Sequence, residues 1–155
     1  MKLSFRIKHY FFTAFREIFV HHHGSLEFRA KIFALVIGAN KKPKVDNFIL
    51  VKKIALEIYE GDEDRANLLL LTTKELIEKL KKHNGLDMDQ LVSNIQKELK
   101  VVPRYAKKID IDALRNFLAF SSDDDTYHYQ ENILEFLEKL KEETLKENKK
   151  QSKDA

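Results

Sequence analysis

At 155 residues, with 43% hydrophobic and 34% charged side chains, the chain is long enough for one hydrophobic core and too apolar to stay unfolded. It contains no Cys, which excludes disulfides, thiolate metal sites and a cysteine nucleophile. Its 28 basic and 25 acidic residues nearly cancel to a net charge of +3, so no dedicated nucleic-acid footprint is present and no nucleic acid is expected as a partner.

Only four Gly and two Pro interrupt a composition rich in Leu, Ile, Lys and Glu, which favours long helices. Over residues 5–20, Ile7, Phe11, Ala14, Phe15 and Ile18 recur at helical spacing, and Phe12 and Phe19 widen the stripe. Arg6, Lys8, His9, Arg16 and Glu17 break this stretch too often for a signal peptide. No run reaches the roughly 18 apolar residues of a membrane span, and a cytoplasmic protein is expected, with the inner membrane surface as an alternative station.

The first helix is expected to stop at His21, His22, His23 and Gly24, with Ser25 capping the next. From Phe28 through Ile32, Phe33, Leu35, Val36 and Ile37 that second helix is apolar nearly all round and belongs at the centre of the fold. A polar loop at residues 38–44 contains Pro43, which disfavours helical geometry at the residue before it. Phe48, Val51, Ile54, Ala55 and Ile58 mark a third helix that stops near Gly61. Asp62 caps a fourth, Thr73 is placed to cap another, and Asn84-Gly85 ends it. Asp87 opens a helix through Leu91, Ile95 and Leu99 that ends at Val101-Val102-Pro103. Asp110 or Asp112 caps a segment with Leu114, Phe117, Leu118 and Phe120 inward. Beyond an acidic loop at residues 121–126, the last helix carries Ile133, Phe136, Leu137 and Leu140. The charged residues after 141 read as a tail or linker. No segment alternates with period two. The expected fold is all-α, a compact bundle of seven to eight helices, divided into an aromatic N-terminal helix (residues 1–24), a helical domain (25–141) and the tail (142–155).

A shift of 84 residues sets Phe33 on Phe117, Asn40 on Asp124, Asn47 on Glu131, Ile49 on Ile133 and Leu50 on Leu134. Each copy is then an apolar helix, a polar loop and an amphipathic helix, with two oxygen-bearing side chains seven residues apart. This pattern, with the run Asp123-Asp124-Asp125-Thr126-Tyr127-His128-Tyr129-Gln130-Glu131, resembles the TerB-like domains, which include tellurite-resistance TerB proteins and the cytosolic N-terminal region of DjlA-type DnaJ-like proteins. Asp124 and Glu131 match the family's Asp and Glu. The first copy departs from it, with Asn40 and Asn47 in place of the two acids and Lys41 in place of a Gly.

The resemblance implies a fold of two similar helix-loop-helix units and a non-enzymatic interaction or regulatory module in a stress-response or DnaJ-like co-chaperone system. It also implies a divalent-cation site with Asp124 and Glu131 as ligands and Asn40 and Asn47 as neutral oxygen donors. The acids themselves read first as a solvated helix-capping loop, and as a cation site only second. No other cofactor is indicated. Phe5, Arg6, Lys8, Phe12 and Phe19 read first as core packing or an interface with a second copy of the chain, and alternatively as a surface for a protein partner or an anionic membrane. No Gly-rich phosphate loop, HExxH or nucleophile elbow occurs, and no enzymatic activity is expected. His128 beside Asp124 and Glu131 is the nearest approach to an acid–base group. There is no His-Pro-Asp tripeptide with which to stimulate an Hsp70.

Overall fold

The structure, a computed structural model, describes residues 24–82 and 85–154. Every regular element among them is helical: α1 (Gly24–Gly38), α2 (Val45–Ile58), α3 (Glu63–Lys81), α4 (Met88–Val101), a 3₁₀ segment (Pro103–Lys108), α5 (Ile111–Arg115), a second 3₁₀ segment (Asn116–Phe120) and α6 (Asp124–Asp154). The all-α bundle expected from the periodicity is thus the observed architecture. The amphipathic stretch at residues 5–20, the three histidines and the candidate surface residues Phe5, Arg6, Lys8, Phe12 and Phe19 lie outside the described residues.

α1 is the hub because its charged residues, Glu27, Arg29 and Lys31, are confined to its first half and only partly exposed. Leu26, Phe28, Ala30 and every residue from Ile32 to Ile37 are buried, so the helix must be covered on all sides. α3 packs most extensively against it, with α4, α6 and the first 3₁₀ segment closing the remainder. Each large side chain sealed in this way, such as Phe28 or Leu35, is worth about 1.5–3 kcal/mol of burial. Contrary to the expected stop, Gly24 is already helical and Ser25 lies inside α1 rather than capping it. A side chain at Gly24 would meet the Tyr105 hydroxyl at 2.9 Å.

The end of α1 is finished from outside. Lys81, in the last turn of α3, donates to the Gly38 carbonyl at 3.1 Å and to the Asn40 carbonyl at 2.6 Å. A cation is favourable beside these orphan carbonyls at the negative helix end, although burial lowers the ammonium's pKa. α2 ends in a Schellman turn: the Gly61 N–H reaches the Leu56 carbonyl at 2.8 Å and the Glu60 N–H reaches Glu57 at 3.4 Å. Glu60 therefore sits at φ 52°, a conformation more usually given to Gly.

Asp62, Asp87 and Asp110 cap α3, α4 and α5 as their positions suggest, and Gln90 completes a capping box with Asp87. Thr73, by contrast, caps nothing. α3 runs unbroken through it, and the buried hydroxyls of Thr72 and Thr73 donate to the Leu68 and Leu69 carbonyls one turn back. A hydroxyl satisfied inside the helix gives the chain no reason to break. The C-terminal segment is helical: α6 runs 31 residues, from Asp124 to Asp154. Its first half packs on the core through Ile133, Leu134 and Leu137, and Lys141 donates to the Ile109 carbonyl at 2.6 Å. No helix among the described residues is long and apolar enough to cross a membrane.

Candidate functional site

The two loops of the sequence echo meet in space. Phe33 and Phe117, echo partners, pack edge to face with centroids 5.7 Å apart. The Asn40 amide donates to the Phe120 carbonyl at 2.8 Å, and the Gln130 amide donates to the Val36 carbonyl at 2.9 Å. Val36 and Phe120 are themselves 84 residues apart, so each half offers the equivalent carbonyl to a buried amide of the other. Equivalent residues touching one another is the arrangement found near a twofold axis.

Past the loops the offset changes. α2 follows Lys44, whereas α6 follows Asp123, an offset of 79 residues. In that register buried side chains match throughout: Asn47 with Thr126, Val51 with Gln130, Ile54 with Ile133 and Ala55 with Leu134. The 84-residue register, by contrast, pairs Ile49, 61% exposed, with buried Ile133. From the equivalent carbonyls of Val36 and Phe120 to the helix that follows, the second copy is five residues shorter, and its preceding helix is only the short α5 and a 3₁₀ segment. The two units are similar in plan but unequal in length.

This shift redistributes the four candidate ligands. Asn40 is fully buried; its amide is spent on Phe120, and its oxygen accepts the Lys42 N–H at 3.2 Å. Asn47 is also buried, donating to the Lys44 carbonyl at 3.2 Å while its Oδ1 has no partner. Asp124 is exposed in the first turn of α6, and Glu131 lies two turns further along. Seven residues on one helix place their Cα atoms about 10.5 Å apart, so the two carboxylates do not converge as a loop acid and a first-turn acid would. Glu131 instead faces His128, Nδ1 to Oε1 3.4 Å, on the solvent side. Among the described residues no three His, Asp or Glu side chains are grouped as a metal would require.

The acid that the echo overlooked is Asp123. Its Oδ1 accepts the Thr126 N–H at 2.7 Å, and its other oxygen lies 3.7 Å from Lys41 of the first loop. The Thr126 backbone N–H, helped by its hydroxyl and by Lys41, holds this carboxyl below its ordinary pKa. Gln130 was missed too, although a polar residue at helical spacing from Ile133, Leu134 and Leu137 is a readable sign of an inward amide. It is completely buried, and its Oε1 accepts from the Ser121 hydroxyl at 2.5 Å.

A second feature lies beside the middle of α1, in a cleft between α1, α2 and α5. Ile32, Ile54, Ile58 and Leu114 supply apolar walls, and Arg29, Lys108 and Asp110 supply the charges. The space it encloses is about 40 Å³, widening to about 340 Å³ when the solvent in its mouth is counted. Of the two cations on α1, Lys31 is answered by Glu98 at 2.6 Å, but Arg29 has no carboxylate within ion-pair distance among the described residues. Burial lowers the Arg29 guanidinium, with Tyr59 and Asp110 opposing. Lys108 is lowered by its own desolvation and then by Arg29 and Arg104. Burial raises Tyr59, and its hydroxyl is enclosed with no hydrogen-bond partner among the described residues. The sequence signal for this cleft was Arg29, one of two cations on α1, set between the buried Phe28 and Ala30.

Compared with protein-family models, curated proteins and solved structures, the chain matches none.

Proposed function

We propose that the chain is a non-catalytic helical module that binds a protein partner, in the stress-response or DnaJ-like co-chaperone setting that the TerB-like resemblance implies. The observation that carries this reading is the outer face of α2. Val45 and Ile49, one turn apart, are 72% and 61% exposed. Two large aliphatic side chains left in water on successive turns are a ready anchor, because covering each would recover about 1.5–3 kcal/mol at most. Tyr127 and Tyr129 add exposed aromatic surface at the start of α6, the loop before which meets the loop leading into α2. The paired Val36 and Phe120 carbonyls support the duplicated plan on which the resemblance is based. Such a module would work in the cytoplasm, free or held at the inner membrane surface.

The test is affinity capture with the purified chain and with the Val45→Asp/Ile49→Asp double variant, whose exposed positions leave the fold intact. A chaperone-system protein retained by the wild type and weakened about tenfold or more by the double variant is the expected result. An identical set of captured proteins for both baits would remove the α2 face from consideration.

A further inference from the structure

The cleft beside Arg29 has the composition of a small-ligand site: a few polar groups fixing orientation within largely aliphatic walls. A guanidinium brought partly out of water without an ion pair is costly, and here the cost is borne on the most buried helix of the fold. Its neighbours deepen the imbalance. Arg29 and Lys108 line the cleft against Asp110 alone, and Arg104 acts on Lys108 from nearby. Asp110 is already engaged in capping α5, where its Oδ1 accepts the Ala113 N–H at 3.1 Å. The cleft therefore carries a net positive charge that no carboxylate of the described chain neutralises by contact.

Which anion fits follows from the walls. A phosphate dianion would have to shed its hydration against Ile32, Ile54 and Ile58 and would also face Asp110. A monocarboxylate on a short aliphatic chain, with a single negative charge, reduces both penalties. Its head can take a forked pair of hydrogen bonds from a guanidinium, and its tail gains by leaving water. We infer that the Arg29–Lys108 cleft is a binding site for a monocarboxylate carried on a short branched or linear aliphatic chain. That chemistry is shared by free short-chain acids and by the C-terminal residue of a peptide ending in Leu or Val. The inference stands apart from the α2 face and survives or fails independently of it.

Titration of the ¹⁵N-labelled chain with 4-methylpentanoate, followed by amide chemical shifts, tests it. Saturable shifts centred on Arg29, Ile58, Lys108 and Leu114 are expected. A ligand of about eight heavy atoms sets the expected Kd on the order of 1 mM. The neutral 4-methylpentanamide is expected to bind about tenfold more weakly or worse, and inorganic phosphate is expected to cause no shifts at these residues. Arg29→Gln and Lys108→Gln are each expected to weaken the acid while leaving the remaining spectrum folded. N-acetylglycyl-leucine and its C-terminal amide form the second arm; tighter binding of the peptide acid than of 4-methylpentanoate assigns the peptide source, and the reverse assigns the free acid. Equal binding of acid and amide, undiminished binding by Arg29→Gln, or no saturable shift at the cleft overturns the proposal.

Discussion

The two loops that begin α2 and α6 do the same job with opposite chemistry. At the first, Asn40 and Asn47 are both buried, and the basic residues Lys41, Lys42 and Lys44 line the segment. At the second, Asp123, Asp124 and Asp125 stay exposed, and the buried polar positions are Thr126 and Gln130. The difference teaches that what the halves share is a pair of neutral hydrogen-bonding groups inside, each satisfying or neighbouring a backbone carbonyl, with charge kept outside. An amide can be buried against a carbonyl oxygen because it donates to it; a carboxylate there would meet it lone pair to lone pair.

The sharpest way to break that symmetry is to place a charge on the inside. Gln130→Glu removes the donor to the Val36 carbonyl and buries an unpaired carboxylate, and about 3–5 kcal/mol of destabilisation is expected from chemical denaturation. Asn40→Asp does the same to the Phe120 carbonyl, but Lys41 and Lys81 lie beside that loop, so its loss should be the smaller of the two. A cost near zero for either would mean that the cross-connections between the halves are incidental.

A more moderate effect is expected outside. Asp123 caps α6, and its carboxyl is held below its ordinary pKa of 3.8. The stabilisation it contributes is complete above pH 3.8 and disappears as the pH falls through the depressed folded-state value. Melting temperature followed from pH 5 downward should therefore drop more steeply for the wild type than for Asp123→Ala, which starts lower at neutral pH. Parallel curves would show that the cap makes no titratable contribution.

Least of all should follow from Asp124→Ala with Glu131→Ala. Both positions lie toward solvent and away from the amide pair, so a change within about 0.5 kcal/mol is expected, together with a melting temperature indifferent to added calcium or magnesium. A calcium-dependent rise that the double variant abolishes would instead restore these carboxylates as cation ligands.

Much of this molecule was legible in the order of its residues. Helical periodicity, Asp caps at 62, 87 and 110, and the all-apolar run of α1 are local properties, governed by backbone hydrogen bonds and the 3.6-residue turn, and they translated directly into elements. The repeat offset of 84 was equally real up to the loops, where Phe33 meets Phe117. What the residues alone did not disclose was where that offset ends. A connection five residues shorter from Phe120 to α6 than from Val36 to α2 leaves no periodic mark, yet it rotates every later side chain of the copy, moving Glu131 from a converging ligand to the solvent side. The same holds for Thr73, whose choice between capping and back-bonding was decided by the helix α3 covers, and for Arg29, whose unpaired charge becomes visible only when α2, α5 and Lys108 close around it. Local chemistry determines which elements form. Which polar groups are left facing one another is a property of packing at long range, and only the folded chain decides it.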